Sequence, residues 1–242
     1  MDRIAVITGA GSGVGQAVAV ALAKEGWAVA LVGRTESTLR QTAGLCPADA
    51  KNRVLICPGD VSCEADVSAI AERVRRELGD PIVLVNSAGT NVARRALGQV
   101  SPEDFRKLID INLTGAFLMT SALLEGMRRR GGGTIVNVIS DAGVRANATA
   151  GVGYVSSKFG LAGLTESINV EQRRHGIRAT AIFPGEINTP LLDKRPAPPP
   201  QEARLQMLQP EDVAACVLLA INLPQRALIE QIIVRPRVAL WP

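Results

Sequence analysis

The stretch Ile4-Ala5-Val6-Ile7-Thr8-Gly9-Ala10-Gly11-Ser12-Gly13-Val14-Gly15 joins an apolar run of strand length to an apolar-periodic helix, Val14–Lys24, through a turn made mostly of glycine. Strand before and helix after is the context in which such a turn carries meaning. Glycine lets the backbone bend sharply and approach a pyrophosphate, and the positive end of the helix dipole stabilises the anion. Tight turns of α/β proteins also use glycine for shape alone, so the turn by itself is moderately specific. Gly9, Ser12, Gly13, Val14 and Gly15 are the candidate contacts to a dinucleotide.

The same alternation runs to the end of the chain. Apolar runs at 4–8, 27–32, 54–57, 82–86, 134–139, 179–183 and 229–234 have strand length, with helical patterns at 14–24, 36–45, 64–78, 102–129, 153–174 and 211–221 between them. Seven strands with six helical crossovers predict an α/β fold of the Rossmann type: a doubly wound seven-stranded parallel sheet with helices on both faces. The 242 residues show no break in composition, so one domain over 1–242 is expected. Hydrophobic residues make up 47% and aromatics only 3%, leaving Val, Ile, Leu and Ala to fill the core, as suits a sheet covered on both sides. The segment Arg195–Pro200 carries four prolines and reads as an extended loop before a short helix at 202–208, within a substrate segment of about 186–208.

Composition also excludes. Cys46, Cys57, Cys63 and Cys216 have neither metal-ligand spacing nor a dense framework, and His175 is the one histidine, so no metal site and no disulfide scaffold is expected. Met1-Asp2-Arg3 leads into an apolar run cut at once by glycines, which is no secretory signal, and the longest later uninterrupted apolar stretch, Val213–Ile221, is too short to span a bilayer. A reducing, cytoplasmic setting without a membrane partner follows as the expectation. The net charge of +4 gathers in Arg73, Arg75 and Arg76 before Gly79, Arg128–Arg130 before Gly131, and Arg173 and Arg174 before Gly176. Each cluster reads as the last turn of a helix before a glycine stop, where cations complement the dipole, so no nucleic-acid partner is expected.

Two further features point to chemistry. The second strand ends Leu31-Val32-Gly33-Arg34-Thr35 with no carboxylate for a ribose diol, which makes Arg34 available to a 2′-phosphate and NADP(H) a better expectation than NAD(H). A plain surface charge is the bland alternative for Arg34. The only tyrosine, Tyr154, stands four residues before Lys158, with Ser140 fourteen residues upstream. Positions i and i+4 share a helix face, and an ammonium beside a phenol lowers its pKa toward use as an acid or base. Taken alone, the pair also fits an amphipathic helix with a core tyrosine and a solvated lysine.

In register, these segments resemble the short-chain dehydrogenase/reductase family from Ile4 to about Val234. Thr8–Gly15 is similar to its TGxxxGxG turn, Gly59-Asp60-Val61 to its adenine-side acidic turn and Asn86-Ser87-Ala88-Gly89 to its NNAG, with Ser87 in place of the second asparagine. Asn112, polar among Ile111, Leu113, Phe117 and Leu118, matches the family's helix asparagine; Ser140, Tyr154 and Lys158 match its catalytic serine and YxxxK; Pro184-Gly185 with Thr189 match its PG-x-x-x-T segment. The resemblance implies that Ser140 bonds the substrate oxygen, Tyr154 exchanges its proton, Lys158 tunes Tyr154 and holds the nicotinamide ribose, and Asn112 helps hold a water behind Lys158. It further implies that Asp60, Val61, Asn86, Ala88, Gly89, Pro184, Gly185, Ile187 and Thr189 line the cofactor, and that a homodimer or homotetramer forms through 102–129 and 153–174.

The expected reaction is hydride transfer between a nicotinamide and a small-molecule carbonyl or secondary alcohol. The competing reading is an NAD(P)-binding regulator or scaffold without turnover; a methyltransferase would have no use for Tyr154 and Lys158. Leu191, Leu192, Leu205, Met207 and Leu208 suggest an apolar lid and a hydrophobic substrate; Arg94, Arg95 and Arg145 read as ordinary surface charge, with selection of an acidic substrate as the alternative, and Glu186 as a solvated loop residue, with pairing to a cationic substrate group as the alternative. The chain lacks the glycine-rich tail of many relatives, and Leu240-Trp241-Pro242 could plug a neighbour's surface or fray.

Overall fold

A computed structural model describes residues 3–238; the Leu240–Pro242 end lies outside the described residues. Strands β1 (Ile4–Thr8), β2 (Ala28–Gly33), β3 (Val54–Pro58), β4 (Val83–Asn86), β5 (Gly133–Val138), β6 (Ile177–Pro184) and β7 (Gln231–Val234) form one parallel sheet in the order β3-β2-β1-β4-β5-β6-β7. Every residue of β1, β4, β5 and β6 is buried, which is why these segments lack the alternation of a half-exposed strand.

The helices are α1 (Gly13–Lys24), α2 (Glu36–Leu45), α3 (Glu64–Glu77), α4 (Pro102–Ile109), α5 (Gly115–Arg129), α6 (Val152–Gln172), α7 (Gln201–Gln206) and α8 (Pro210–Asn222). Val18 and Leu22 of α1, Leu39 of α2 and Val213 and Val217 of α8 cover one face of the sheet. Val67 and Val74 of α3, Met119 and Leu123 of α5 and Ile168 of α6 cover the other. Strand order reverses between β1 and β4, which opens a crevice above their carboxyl ends, where such sheets bind ligands.

Three departures from the sequence reading are instructive. The helix expected over 102–129 is interrupted by a wide π turn, Asp110–Thr114, that turns Asn112 inward. By length and composition the whole run Pro102–Arg129 is apolar enough to cross a bilayer, unlike the shorter Val213–Ile221. Here Leu108, Met119, Leu123 and Met127 are buried in the protein instead. Strand β6 begins two residues before the expected Ala179, because Ile177 and Arg178 pair with Gly133 and Thr134 of β5, while the buried Arg178 side chain donates to the carbonyls of Ala220, Ile221, Leu223, Pro224 and Ala227 around the end of α8. The arginine clusters do sit at helix ends, but several bond to particular acceptors: Arg129 grips Asp80 at 2.9 and 3.0 Å, and Arg128 reaches Gln172 at 2.7 Å.

Candidate active site

A cleft of about 710 Å³ runs over the crevice from Gly33, Arg34 and Thr35 at the end of β2 to Ser140, Tyr154 and Lys158 beyond β5. Gly9, Ser12, Gly13 and Val14 line its floor. Gly13 has φ +55°, and a Cβ there would stand 3.1 Å from Cγ2 of Thr189, so a side chain would fill the gap between the turn and the opposite wall. Gly15 does not reach the cleft: a Cβ on it would fall 2.4 Å from the Gly9 carbonyl oxygen, so its role is to let α1 press against the turn. Thr8 binds the next segment, its Oγ1 accepting from the amides of Ser87 and Ala88 at 3.1 Å each.

Asp60, Val61, Ala88, Gly89, Pro184, Gly185, Ile187 and Thr189 line the cleft as expected. Asn86 does not: it is buried beneath, donating to Asn137 Oδ1 at 2.9 Å. Burial pushes the Asp60 carboxyl up, yet hydrogen bonds from Ser62 and the charge of Arg34 outweigh it and hold the group below its usual range. The Asp60 oxygen is occupied by Ser62 N at 2.9 Å and Ser62 Oγ at 2.6 Å.

Helix α6 carries Tyr154 and Lys158 on one face, and the Lys158 ammonium lies 5.6 Å from the centre of the Tyr154 ring. Lys158 Nζ donates to the Val138 carbonyl at 3.1 Å, and burial lowers its pKa to about 8. Burial lifts the Tyr154 phenol to about 12; the Ser140 hydroxyl and, beyond the opposing charge of Asp141, Arg195 and Arg95 pull it back. The ring keeps a face on the cleft, and water reaching that face works against the upward shift. Lys158 is not among the groups that shift Tyr154 in this arrangement. The ammonium is directed at a backbone carbonyl, and its own charge is weakened by burial.

Asn112 also stands behind the cleft rather than in it. Its side chain is buried, bonded to both backbone groups of Thr90 and to Ser157 Oγ. A Cβ on Gly89 would meet Asn112 Oδ1 at 3.5 Å and Lys158 Nζ at 3.7 Å, so the two side chains straddle Gly89 from below.

The profile of the family described as short chain dehydrogenase matches residues 3–199. The chain belongs to the short-chain dehydrogenase family. It is accordingly an oxidoreductase acting on CH–OH groups. An uncharacterised oxidoreductase of Staphylococcus saprophyticus is 30% identical over 235 residues, 97% of each chain. An alcohol dehydrogenase from Thermococcus sibiricus, solved with 5-hydroxy-NADP, superposes with a TM-score of 0.87 at 30% identity over 98% of this chain and 97% of that one. A 3-ketoacyl-(acyl-carrier-protein) reductase from Brucella melitensis, solved with NADH, gives 0.86 at 29% identity over 97% of each.

The rest of this short-chain dehydrogenase's cleft is closed by side chains that sequence reasoning misjudged. Arg95, taken for surface charge along with Arg94 and Arg145, is buried; the other two are exposed. Its guanidinium donates to the carbonyls of Val92 at 2.7 Å, Thr149 at 3.2 Å and Lys194 at 2.7 Å, which ties together the three segments that wall the cleft. Glu186 is not solvated but paired with Arg195 at 2.7 Å, both largely buried. The substrate segment is pinned at its two ends by Leu208 N to Glu186 O at 3.0 Å and Asn188 N to Leu208 O at 2.8 Å, and across the cleft by Lys194 Nζ to Thr90 Oγ1 at 2.8 Å. Nothing in the local pattern separates Arg95 from Arg94; only the loop's path does.

Proposed function

We propose that this enzyme is an NADP(H)-dependent reductase or dehydrogenase that interconverts a carbonyl and a secondary alcohol, with Tyr154 as general acid and base. The observation that carries the reading is that Ser140, Tyr154 and Lys158 line the same cleft as the glycine turn. That cleft fits a dinucleotide: backbone amides at the start of α1, a gap at Gly13 that a side chain would close, and Arg34 at the far lip.

When bound, the nicotinamide supplies or accepts the hydride. Ser140 orients the substrate oxygen by a hydrogen bond, and Tyr154 gives that oxygen its proton as the carbon is reduced, or removes it in the reverse direction. A phenol held protonated by burial is the form a reduction requires. Arg195 and Arg95 then stabilise the phenolate left behind. Lys158 and the residues from Ala88 to Gly89 hold the nicotinamide side of the cofactor, with Asn112 positioning Thr90 beneath them; Pro184 to Thr189 form the facing wall.

NADP(H) rather than NAD(H) is supported by Arg34 at the lip of the cleft, the absence of a carboxylate at the end of β2, and the engagement of Asp60 by Ser62. The exposed Phe117 of α5 and Phe159 of α6 support assembly into a homodimer or homotetramer through those helices. Activity is tested by following nicotinamide absorbance over a panel of ketones, aldehydes and secondary alcohols. Tyr154→Phe is expected to bind NADPH nearly as tightly while losing about 10²-fold or more in kcat. Near-normal turnover by that variant rules out the assigned role of Tyr154.

A further inference from the structure

The substrate end of the cleft sets charged groups beside the apolar surface expected of the lid. Leu205 turns to solvent with 71% of its surface exposed, and Met207 and Leu208 are buried away from the cleft, leaving Leu191 and Leu192 as the lid's leucines on its wall. Around Tyr154 stand the cations Arg95, Lys158 and Arg195 and the carboxylates Asp141 and Glu186. Glu186 neutralises Arg195 at 2.7 Å, and Asp141 lies against the Ser140 hydroxyl at 3.3 Å.

Among the described residues no carboxylate is paired with Arg95. Arg95 is 7% exposed, and its guanidinium donates to the carbonyl oxygens of Val92, Thr149 and Lys194. Carbonyl dipoles orient a guanidinium but leave its unit charge uncompensated, and the group keeps N–H donors beyond those three bonds. Burial and then the neighbouring Arg195 both disfavour its charged form, the mark of a cation in want of an anion. Two guanidiniums face one cleft, and among the described residues Glu186 pairs with Arg195 while Asp141 lies against Ser140, so the pair is complementary to a further negative group.

We propose that the chamber takes a carbonyl or hydroxy compound that carries a carboxylate, gripped by Arg195 and attracted by the buried Arg95 charge behind it. The inference rests on the carbonyl–alcohol reading above and adds the substrate's charge to it. A neutral isostere leaves the cationic wall desolvated and unpaired, which is the condition under which a site discriminates strongly.

The test uses acid and amide pairs of equal shape, acetoacetate with acetoacetamide and 4-oxopentanoate with 4-oxopentanamide. Both kcat/KM with NADPH and calorimetric binding to the NADP⁺-loaded enzyme are measured. In at least one pair the acid is expected to be preferred by about tenfold or more, chiefly through KM, and R195Q should bring that ratio toward one. E186Q, which removes the competing carboxylate, should widen it, and this variant decides the matter if R195Q fails to fold. Equal or amide-favouring ratios in every pair, a ratio that R195Q leaves unmoved, or a ratio narrowed by E186Q overturns the proposal. Acids that bind at least about tenfold tighter than their amides with no turnover of any compound would uphold the charged chamber and sink the proposed reaction instead.

Discussion

Asn112 and Thr90 are bound to each other twice: Asn112 Oδ1 accepts the Thr90 amide at 2.8 Å, and Asn112 Nδ2 donates to the Thr90 carbonyl at 3.0 Å. The π turn between α4 and α5 makes this possible by directing a polar side chain into the interior, where it satisfies the backbone of the segment that follows Gly89. Thr90 in turn receives Lys194 of the lid, so a buried helix residue helps set the height of the cleft's roof.

Removing that support should cost stability before it costs chemistry. Asn112→Ala strands the amide and carbonyl of Thr90 in a buried position, and urea unfolding is expected to show a loss of about 2–4 kcal/mol. An unfolding midpoint equal to the native one contradicts the assigned role.

Lys158 predicts a pH dependence of opposite sign to the familiar lysine ion pair. Its folded pKa, about 8, lies below the 10.5 of a free lysine, so between these limits the unfolded chain binds the extra proton. Its contribution to stability therefore rises with pH across that window and is flat below it. Lys158→Met lacks this term, and its stability relative to the native protein should fall by about 1–2 kcal/mol between pH 8 and pH 9.5, read from urea unfolding without cofactor. A difference independent of pH shows that the ammonium is not desolvated by the fold.

Arg34 is the residue on which the proposed cofactor choice turns. Losing one charge-assisted contact to a 2′-phosphate amounts to roughly 1.5–3 kcal/mol, so Arg34→Ala is expected to lower kcat/KM for NADPH by about 10- to 100-fold and to leave NADH within about threefold. Equal use of the two cofactors by the native enzyme, unchanged in the variant, refutes the assignment.

Phe117 and Phe159 are 51% and 45% exposed, so charging them should hardly disturb the fold of one copy. Light scattering of the Phe117→Glu and Phe159→Glu proteins is expected to show smaller particles than the native chain. An unchanged mass places assembly, if it occurs, on another face.

The order of strands and helices, the glycine turn and the pairing of Tyr154 with Lys158 were legible in the amino-acid sequence because each is set by near neighbours. Apolar runs of strand length, glycines at the sharp points of a turn and an i, i+4 spacing on one helix all follow from local geometry. Gly15, Asn86 and Asn112 were legible as conspicuous residues but not as ones that stand outside the cleft, since direction depends on what packs above them. Only the tertiary structure separated the buried Arg95 from the exposed Arg94, joined Glu186 to Arg195 and set Tyr154 high and Lys158 low. Burial and charge pairing sum over groups that are distant along the chain and become neighbours only when the loops close over the sheet.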